Sequence, residues 1–178
     1  MHIPDKISKW IRAKNWTLHE HQIRMFKSSE CSSQLLIAPT GSGKTLAGFL
    51  PTIADLYLNP SQKLHTLYIS PLKALASDIK RNLETPIKEL ELKISVEDRT
   101  GDTKQSIKKK QRVIPPNILL TTPESLALLM SYPEAPSIFS SLKRIIVDEI
   151  HAITESKRGD QLFLAISNIR KYCLDAKI

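Results

Sequence analysis

Ala38-Pro39-Thr40-Gly41-Ser42-Gly43-Lys44-Thr45 carries the strongest chemical signal in the chain. Gly41 and Gly43 have no side chains, so the backbone N–H groups of the turn Thr40–Thr45 can close around phosphate oxygens. The apolar run Leu35-Leu36-Ile37 precedes the turn and the helix-like run Leu46-Ala47-Gly48-Phe49-Leu50 follows it. A helix starting there adds a favourable dipole for an anion. Lys44 can reach the outer phosphates as a point charge, and the Thr45 hydroxyl can ligate magnesium. The expected ligand is therefore ATP with Mg²⁺, held by Thr40, Gly41, Ser42, Gly43, Lys44 and Thr45.

Such a site also needs a metal-holding acid and a group that orients water. Ile145-Ile146-Val147-Asp148-Glu149 offers both, as an apolar strand ending in two carboxylates. Asp148 can hold the metal, directly or through water, and Glu149 can orient or deprotonate the attacking water. A Gly/Ser turn before a helix, or a buried strand with a solvated acidic end, would account for either motif alone. Together they point to a nucleotide site.

The elements that must position these residues alternate. Candidate strands are Gln34–Ala38, His65–Ser70, Lys93–Arg99, Asn117–Thr121 and Arg144–Asp148. Each is short and apolar enough for a buried parallel strand. Helix-like segments lie between and after them at Gly43–Leu58, Leu72–Leu83, Thr103–Arg112, Pro123–Met130 and Asp160–Tyr172. This alternation predicts an α/β fold, a parallel sheet with helices on both faces. Pro51 falls inside the first of these helices and is expected to kink it. Residues 1–30 read as helical and amphipathic, with Trp10, Ile11, Trp16, Leu18, Ile23, Met25 and Phe26 as apolar positions.

Composition agrees with one globular domain. The chain has 178 residues, of which 41% are hydrophobic and 25% charged. A net charge of +8 suits a polyanionic partner, nucleic acid or an anionic membrane surface, and equally a soluble protein with solvated lysines. Cys31 and Cys173 stand far apart in no metal-ligand spacing, which speaks against a disulfide framework. No apolar run approaches the ~20 residues of a membrane span, and the N-terminus lacks a signal-peptide core. A cytoplasmic location is expected.

Several segments resemble superfamily-two helicases. Asp148-Glu149-Ile150-His151 resembles their second motif, which implies that His151 helps couple hydrolysis to nucleic-acid binding across a domain cleft. The phosphate loop, with Ala38 where the usual pattern has its first glycine, matches the helicase style. Trp16-Thr17-Leu18-His19-Glu20-His21-Gln22 resembles the adenine-recognition element, implying that Gln22 pairs with the adenine edge as an amide can. Ser70-Pro71-Leu72-Lys73-Ala74-Leu75-Ala76, Thr100-Gly101-Asp102 and Thr121-Thr122-Pro123-Glu124-Ser125 resemble the family's nucleic-acid contact motifs, all just past strand ends where ligands bind in such sheets. By this likeness Pro71, Lys73, Thr100, Gly101, Asp102, Thr121, Thr122, Pro123 and Glu124 meet nucleic acid, with hydroxyls, helix N-termini and Lys73 holding phosphates. Lys104–Arg112 could extend the track or form a solvated helix face.

Finer features, among them Arg81-Asn82-Leu83-Glu84, Arg99–Thr103 and Ser156-Lys157-Arg158-Gly159, resemble the Lhr-like helicases and especially the bacterial ligase-associated DEXH-box helicases. The resemblance implies a three-layer RecA-like phosphate-loop NTPase domain. Residues 1–30 would be the helical adenine-recognition segment and 31–178 the first RecA-like domain. It further implies 3′-to-5′ unwinding, a role in DNA repair, single-stranded DNA or RNA as partner, and a possible ligase-associated repair system.

In that family a strand bearing a Ser-Ala-Thr motif follows and lies between the loop-bearing strand and the Asp148 strand. The sequence ends at Ala176-Lys177-Ile178, about where it would begin. A gap in the sheet is expected there. A second motor domain, in cis or from a split product, would supply arginine fingers worth ~10³–10⁵ in rate, so slow hydrolysis is expected from this chain alone. A non-catalytic nucleotide-binding or nucleic-acid-binding fragment is the alternative. A transporter ATPase is disfavoured by the lack of a Leu-Ser-Gly-Gly-Gln-like signature, and a small-molecule kinase would not need Asp148–His151 or Thr121–Ser125.

Overall fold

A computed structural model describes residues 2–30, 33–39, 41–154 and 156–178. Four parallel strands form the sheet: β1 (Thr66–Ile69), β2 (Val96–Arg99), β3 (Ile118–Thr121) and β4 (Arg144–Val147), in the order β2-β3-β1-β4. β1 lies between two apolar neighbours, with Leu67 opposite Leu119 and Ile145, and Tyr68 opposite Leu120 and Ile146. Both of its faces are buried, as parallel strands covered by helices require.

Successive side chains therefore feed two cores. One holds Leu67, Ile69, Leu119 and Ile145 under α6 (Pro123–Met130), α7 (Ala135–Phe139) and α8 (Lys157–Ile169). The other holds Tyr68, Ile118 and Leu120 under α1 (Asp5–Ala13), α2 (Glu20–Ser28), α3 (Lys44–Leu58) and α4 (Lys73–Glu89). The N-terminal segment is two helices whose Ile7, Ile11 and Phe26 join this second core, while Trp16 and Ile23 are left largely exposed. The last helix, α5 (Gln105–Val113), packs beside the edge strand β2.

Two expected helices, α4 and α8, differ clearly in extent. α4 continues past Leu83 through Pro86, because Ile79, Leu83 and Ile87 keep one buried face going. α8 starts at Lys157, since Ser156 caps it by accepting from the Gly159 N–H. α3 runs unbroken to Leu58 with Pro51 buried inside it. α7 and a short 3-10 turn at Ile150–Ala152 were not expected.

The expected strand Gln34–Ala38 is not one. Residues 33–39 are irregular, and Leu35 and Ile37 are 74% and 86% exposed. A strand exists only when a neighbour completes its ladder, and among the described residues the one backbone–backbone bond of 34–38 runs from the Gln34 N–H to the Ile178 carbonyl at 2.7 Å. Lys177 sits beside β4, its carbonyl accepting from the Ile145 N–H at 2.8 Å. Residues 177–178 thus stand between β4 and Gln34, and they line one cavity together with Leu35–Ala38 and Ile145–Val147.

Candidate functional site

The phosphate loop takes the shape its glycines permit. Gly41 and Gly43 adopt φ of +78° and +76°, left-handed values that other residues enter at a cost. Gly43 stands at the head of α3, whose first-turn N–H groups have no acceptors within the helix. Lys44 folds back so that Nζ donates to the Ala38 carbonyl at 3.0 Å. Ser42 Oγ is buried with no hydrogen-bond partner among the described residues. An orphaned hydroxyl beside open helix N–H groups suits a phosphate oxygen. Thr40 lies outside the described residues.

Gln22 is 3% exposed and tied to this loop. Its Nε2 donates to the Gly43 carbonyl at 3.1 Å, and its Oε1 accepts from the His19 N–H at 2.8 Å. Each end of the amide keeps one further bonding position. In this arrangement Gln22 braces the loop.

Asp148 and Glu149 follow β4 and face the same cavity as Lys44, a space of about 670 Å³ also bounded by Leu35–Ala38 and Ile145–Val147. The Asp148 N–H donates to the Ile69 carbonyl and continues the sheet for one residue. Its Oδ1 accepts from the Glu149 N–H at 2.9 Å, and its Oδ2 accepts from the Tyr68 hydroxyl at 2.6 Å. Burial and the adjoining Asp148 carboxylate push the Tyr68 phenol far up, so it stays a neutral donor. Glu149 has φ of +47°, an uncommon conformation for a residue with a side chain, and this turns the chain sharply after the strand. Exposed His151 reaches back, with Nε2 3.4 Å from Glu149 Oε2.

One carboxylate, one hydroxyl at Thr45 and a phosphate loop are the donor set that Mg²⁺ takes with a nucleotide, keeping several waters. No cluster of three metal-binding side chains occurs among the described residues, so this is not an all-protein metal cage. The residues fit Mg²⁺ arriving with a nucleotide.

The three strand-end loops also meet. Lys73 Nζ donates to Asp102 Oδ1 at 2.8 Å, joining the β1 and β2 loops. Thr122 caps α6, Thr121 Oγ1 donates to the Arg99 carbonyl, and Thr100 Oγ1 accepts from the Asp102 N–H. These three hydroxyls, expected on phosphates, build the loops from inside. Pro71 and Pro123 are buried as well, while Lys73, Gly101, Asp102 and Glu124 are exposed. In α5, Lys108 Nζ donates to the Gly101 carbonyl and the Arg112 guanidinium lies 4.1 Å from the Tyr132 ring centre. With Lys110 Nζ 3.7 Å from Glu97 Oε1, three cations of the basic run are held in tertiary contacts.

The sequence profile of the DEAD/DEAH box helicases matches residues 19–177. The chain belongs to this family. It is 37% identical to the ATP-dependent helicase Lhr-Core protein 2 of Thermococcus barophilus, over 97% of this chain and 22% of that protein. It is 43% identical to the Lhr helicase/probable uracil glycosylase of Mycolicibacterium smegmatis, over 79% of this chain and 10% of that protein. The structure of the Mycobacterium smegmatis helicase Lhr bound to ssDNA and AMP-PNP superposes with a TM-score of 0.88 at 35% identity, covering 96% of this chain and 23% of that one. The helicase domain thus spans about a fifth of the first relative's length. The three-layer RecA-like expectation agrees with this likeness. No helix among the described residues is long and apolar enough to cross a membrane.

Two residues of this helicase domain had no site role assigned from the sequence. Arg158 donates from Nη2 to the Pro71 carbonyl at 2.8 Å and from Nε to Glu124, tying two strand-end loops together. Burial raises the Glu124 carboxyl, but the Arg158 bond and the loop's own donors outweigh it and hold it below the usual range. The other is Tyr68, an aromatic with a polar tip in a fully buried strand.

Proposed function

We propose that this domain is the ATP-binding half of a nucleic-acid motor, taking ATP·Mg²⁺ on Gly41–Thr45 and single-stranded nucleic acid across the strand ends. The observation that carries the proposal is the shared cavity of Lys44, Asp148 and Glu149, next to a loop whose Ser42 hydroxyl is buried and has no partner among the described residues. Thr40 belongs to the proposed loop by sequence. Lys44 leaves the Ala38 carbonyl and meets the outer phosphates. Asp148 and Thr45 hold the metal, which when bound neutralises developing phosphate charge. Glu149 orients water, and His151 beside it passes the state of the site toward a second motor domain. Gln22 acts on adenine through its remaining bonding positions, or on the loop through Gly43.

Nucleic acid is read through phosphates at Lys73 and at the backbone of Gly101, Asp102 and the α6 N-terminus, without base specificity. Polarity of 3′-to-5′, a DNA-repair role, a cytoplasmic setting and a ligase-associated partner rest on resemblance to the Lhr-like group. Turnover at a useful rate needs the second motor domain. A second reading, binding without turnover, is favoured by the unpaired segment 33–39, which leaves the approach to the loop without a sheet ladder.

Binding of a fluorescent single-stranded oligonucleotide tests the proposal. Lys73→Gln removes a phosphate partner and Arg158→Ala unties the Pro71 and Glu124 loops. Both are expected to weaken binding at least several-fold, and Lys73→Gln also flattens its salt dependence. Equal affinity across wild type and both variants contradicts the proposed track. Oligonucleotide-stimulated ATP hydrolysis, absent in Glu149→Gln, separates the motor reading from the binding-only reading.

A further inference from the structure

Tyr68 sits in the middle of β1 with its ring 2% exposed and packed against Phe49 at 5.6 Å between centres. Its register neighbours are Leu120 on β3 and Ile146 on β4, both aliphatic. An aliphatic residue would serve this core position equally well. What tyrosine adds is a hydroxyl at the sheet's carboxyl end, 2.6 Å from Asp148 Oδ2. The other oxygen, Oδ1, is held by the Glu149 N–H at 2.9 Å. A free carboxylate rotates broadly about its last torsion. Here one donor on each oxygen fixes its plane and leaves each oxygen a lone pair for a metal or its water.

We propose that Tyr68 is a positioning residue for Mg²⁺: its hydroxyl fixes the Asp148 carboxylate before the nucleotide arrives. The inference rests on the reading of Asp148 as the metal-holding acid. Partners of this kind, which hydrogen-bond a metal-binding carboxylate from behind, typically change metal affinity 10–100-fold when removed. The device also has a structural logic. Asp148 directly follows the edge strand β4, whereas Tyr68 belongs to the fully buried strand β1. The hydroxyl therefore references the metal-holding group to a buried interior strand of the sheet.

The test measures binding of a fluorescent ATP analogue to the chain at increasing Mg²⁺, with EDTA as the zero point. In Tyr68→Phe the ring and its packing stay and only the oxygen goes. The Mg²⁺ concentration at half effect is expected to rise about tenfold or more, while affinity in EDTA and the nucleotide-free unfolding midpoint stay near wild type. A half-effect concentration within twofold of wild type overturns the proposal. A purely structural hydroxyl would instead lower the midpoint and leave the Mg²⁺ dependence alone. If Tyr68→Phe lowers both, Asp148→Asn decides: Tyr68→Phe added to it should change the Mg²⁺ dependence no further, and additive effects overturn the role. Wild type binding the analogue without any Mg²⁺ dependence would sink the metal reading of Asp148 itself, a result distinct from failure of Tyr68 alone.

Discussion

Replacing Gly43 with alanine adds one methyl group at a crowded position of the phosphate loop. The new Cβ would lie 2.4 Å from Gln22 Nε2, and the residue would keep a φ of +76°. The left-handed backbone costs about 1–2 kcal/mol for a residue with a Cβ. Displacing the buried Gln22 amide breaks its bonds to the His19 N–H and the Gly43 carbonyl, at about 1 kcal/mol each. The sum is ~3–4 kcal/mol, a large part of a domain's stability. Gly41 provides the control, because it has φ of +78° and no described atom within 4 Å of its added Cβ. Gly41→Ala should therefore cost only the ~1–2 kcal/mol of backbone strain. Urea unfolding of both variants, repeated in a Gln22→Ala background, separates the contributions. The penalty of Gly43→Ala should fall to that of Gly41→Ala once the Gln22 side chain is gone. Equal penalties for the two glycines in the wild-type background, or no relief from Gln22→Ala, would refute the bracing of the loop by Gln22.

Two further outcomes follow from burial. Ile37→Ser should cost about 0.2–0.4 kcal/mol in urea unfolding, since the side chain is already 86% exposed, whereas Ile69→Ala should cost ~2–5 kcal/mol; a loss above ~1.5 kcal/mol at Ile37 would mean the segment is paired after all. The third outcome concerns pH. Burial lowers His65, only partly opposed by Asp55, so it is neutral when folded and donates from Nε2 to Asp55 at 2.8 Å. Burial raises Asp55, but His65 and Asn59 outweigh it and the carboxyl ends below its usual range. Both depressed values give stability that is lost as pH falls: His65's share is whole above pH ~6.5 and fades as pH drops through its lower folded value, with Asp55's share following below pH ~4. Urea midpoints measured from pH 7.5 to 5 should fall, and His65→Gln should flatten that slope; a midpoint that rises on acidification contradicts the neutral assignment.

What the sequence made legible were features whose causes are local. The ends of β1, β3 and β4 could be read because apolar runs stop at Ser70-Pro71, Thr122-Pro123 and Asp148-Glu149. α6 begins and ends as expected because a threonine cap and a first-turn proline mark its start. The turn at Gly41–Gly43 was legible because glycine at two left-handed positions is a backbone requirement. Segment 34–38 misled because its apolar residues announce a strand but cannot supply the neighbour. Thr100, Thr121 and Thr122 were ambiguous for another reason, since a hydroxyl after a strand serves equally as a cap or a phosphate ligand. Tyr68 and Arg158 act on partners 80 and 87 residues away, a relation no spacing rule encodes.

The measurement that bears most directly on the account is the thermal unfolding midpoint of the chain with and without Mg·ATP, for wild type beside Lys44→Ala. Specific binding to the folded state stabilises by ~2.7 kcal/mol at a hundredfold excess over the dissociation constant. The account predicts a cooperative transition that Mg·ATP raises by several degrees in the wild type and leaves in place in Lys44→Ala. An equal shift in both proteins, or none in either, would contradict a nucleotide site built on Gly41–Thr45.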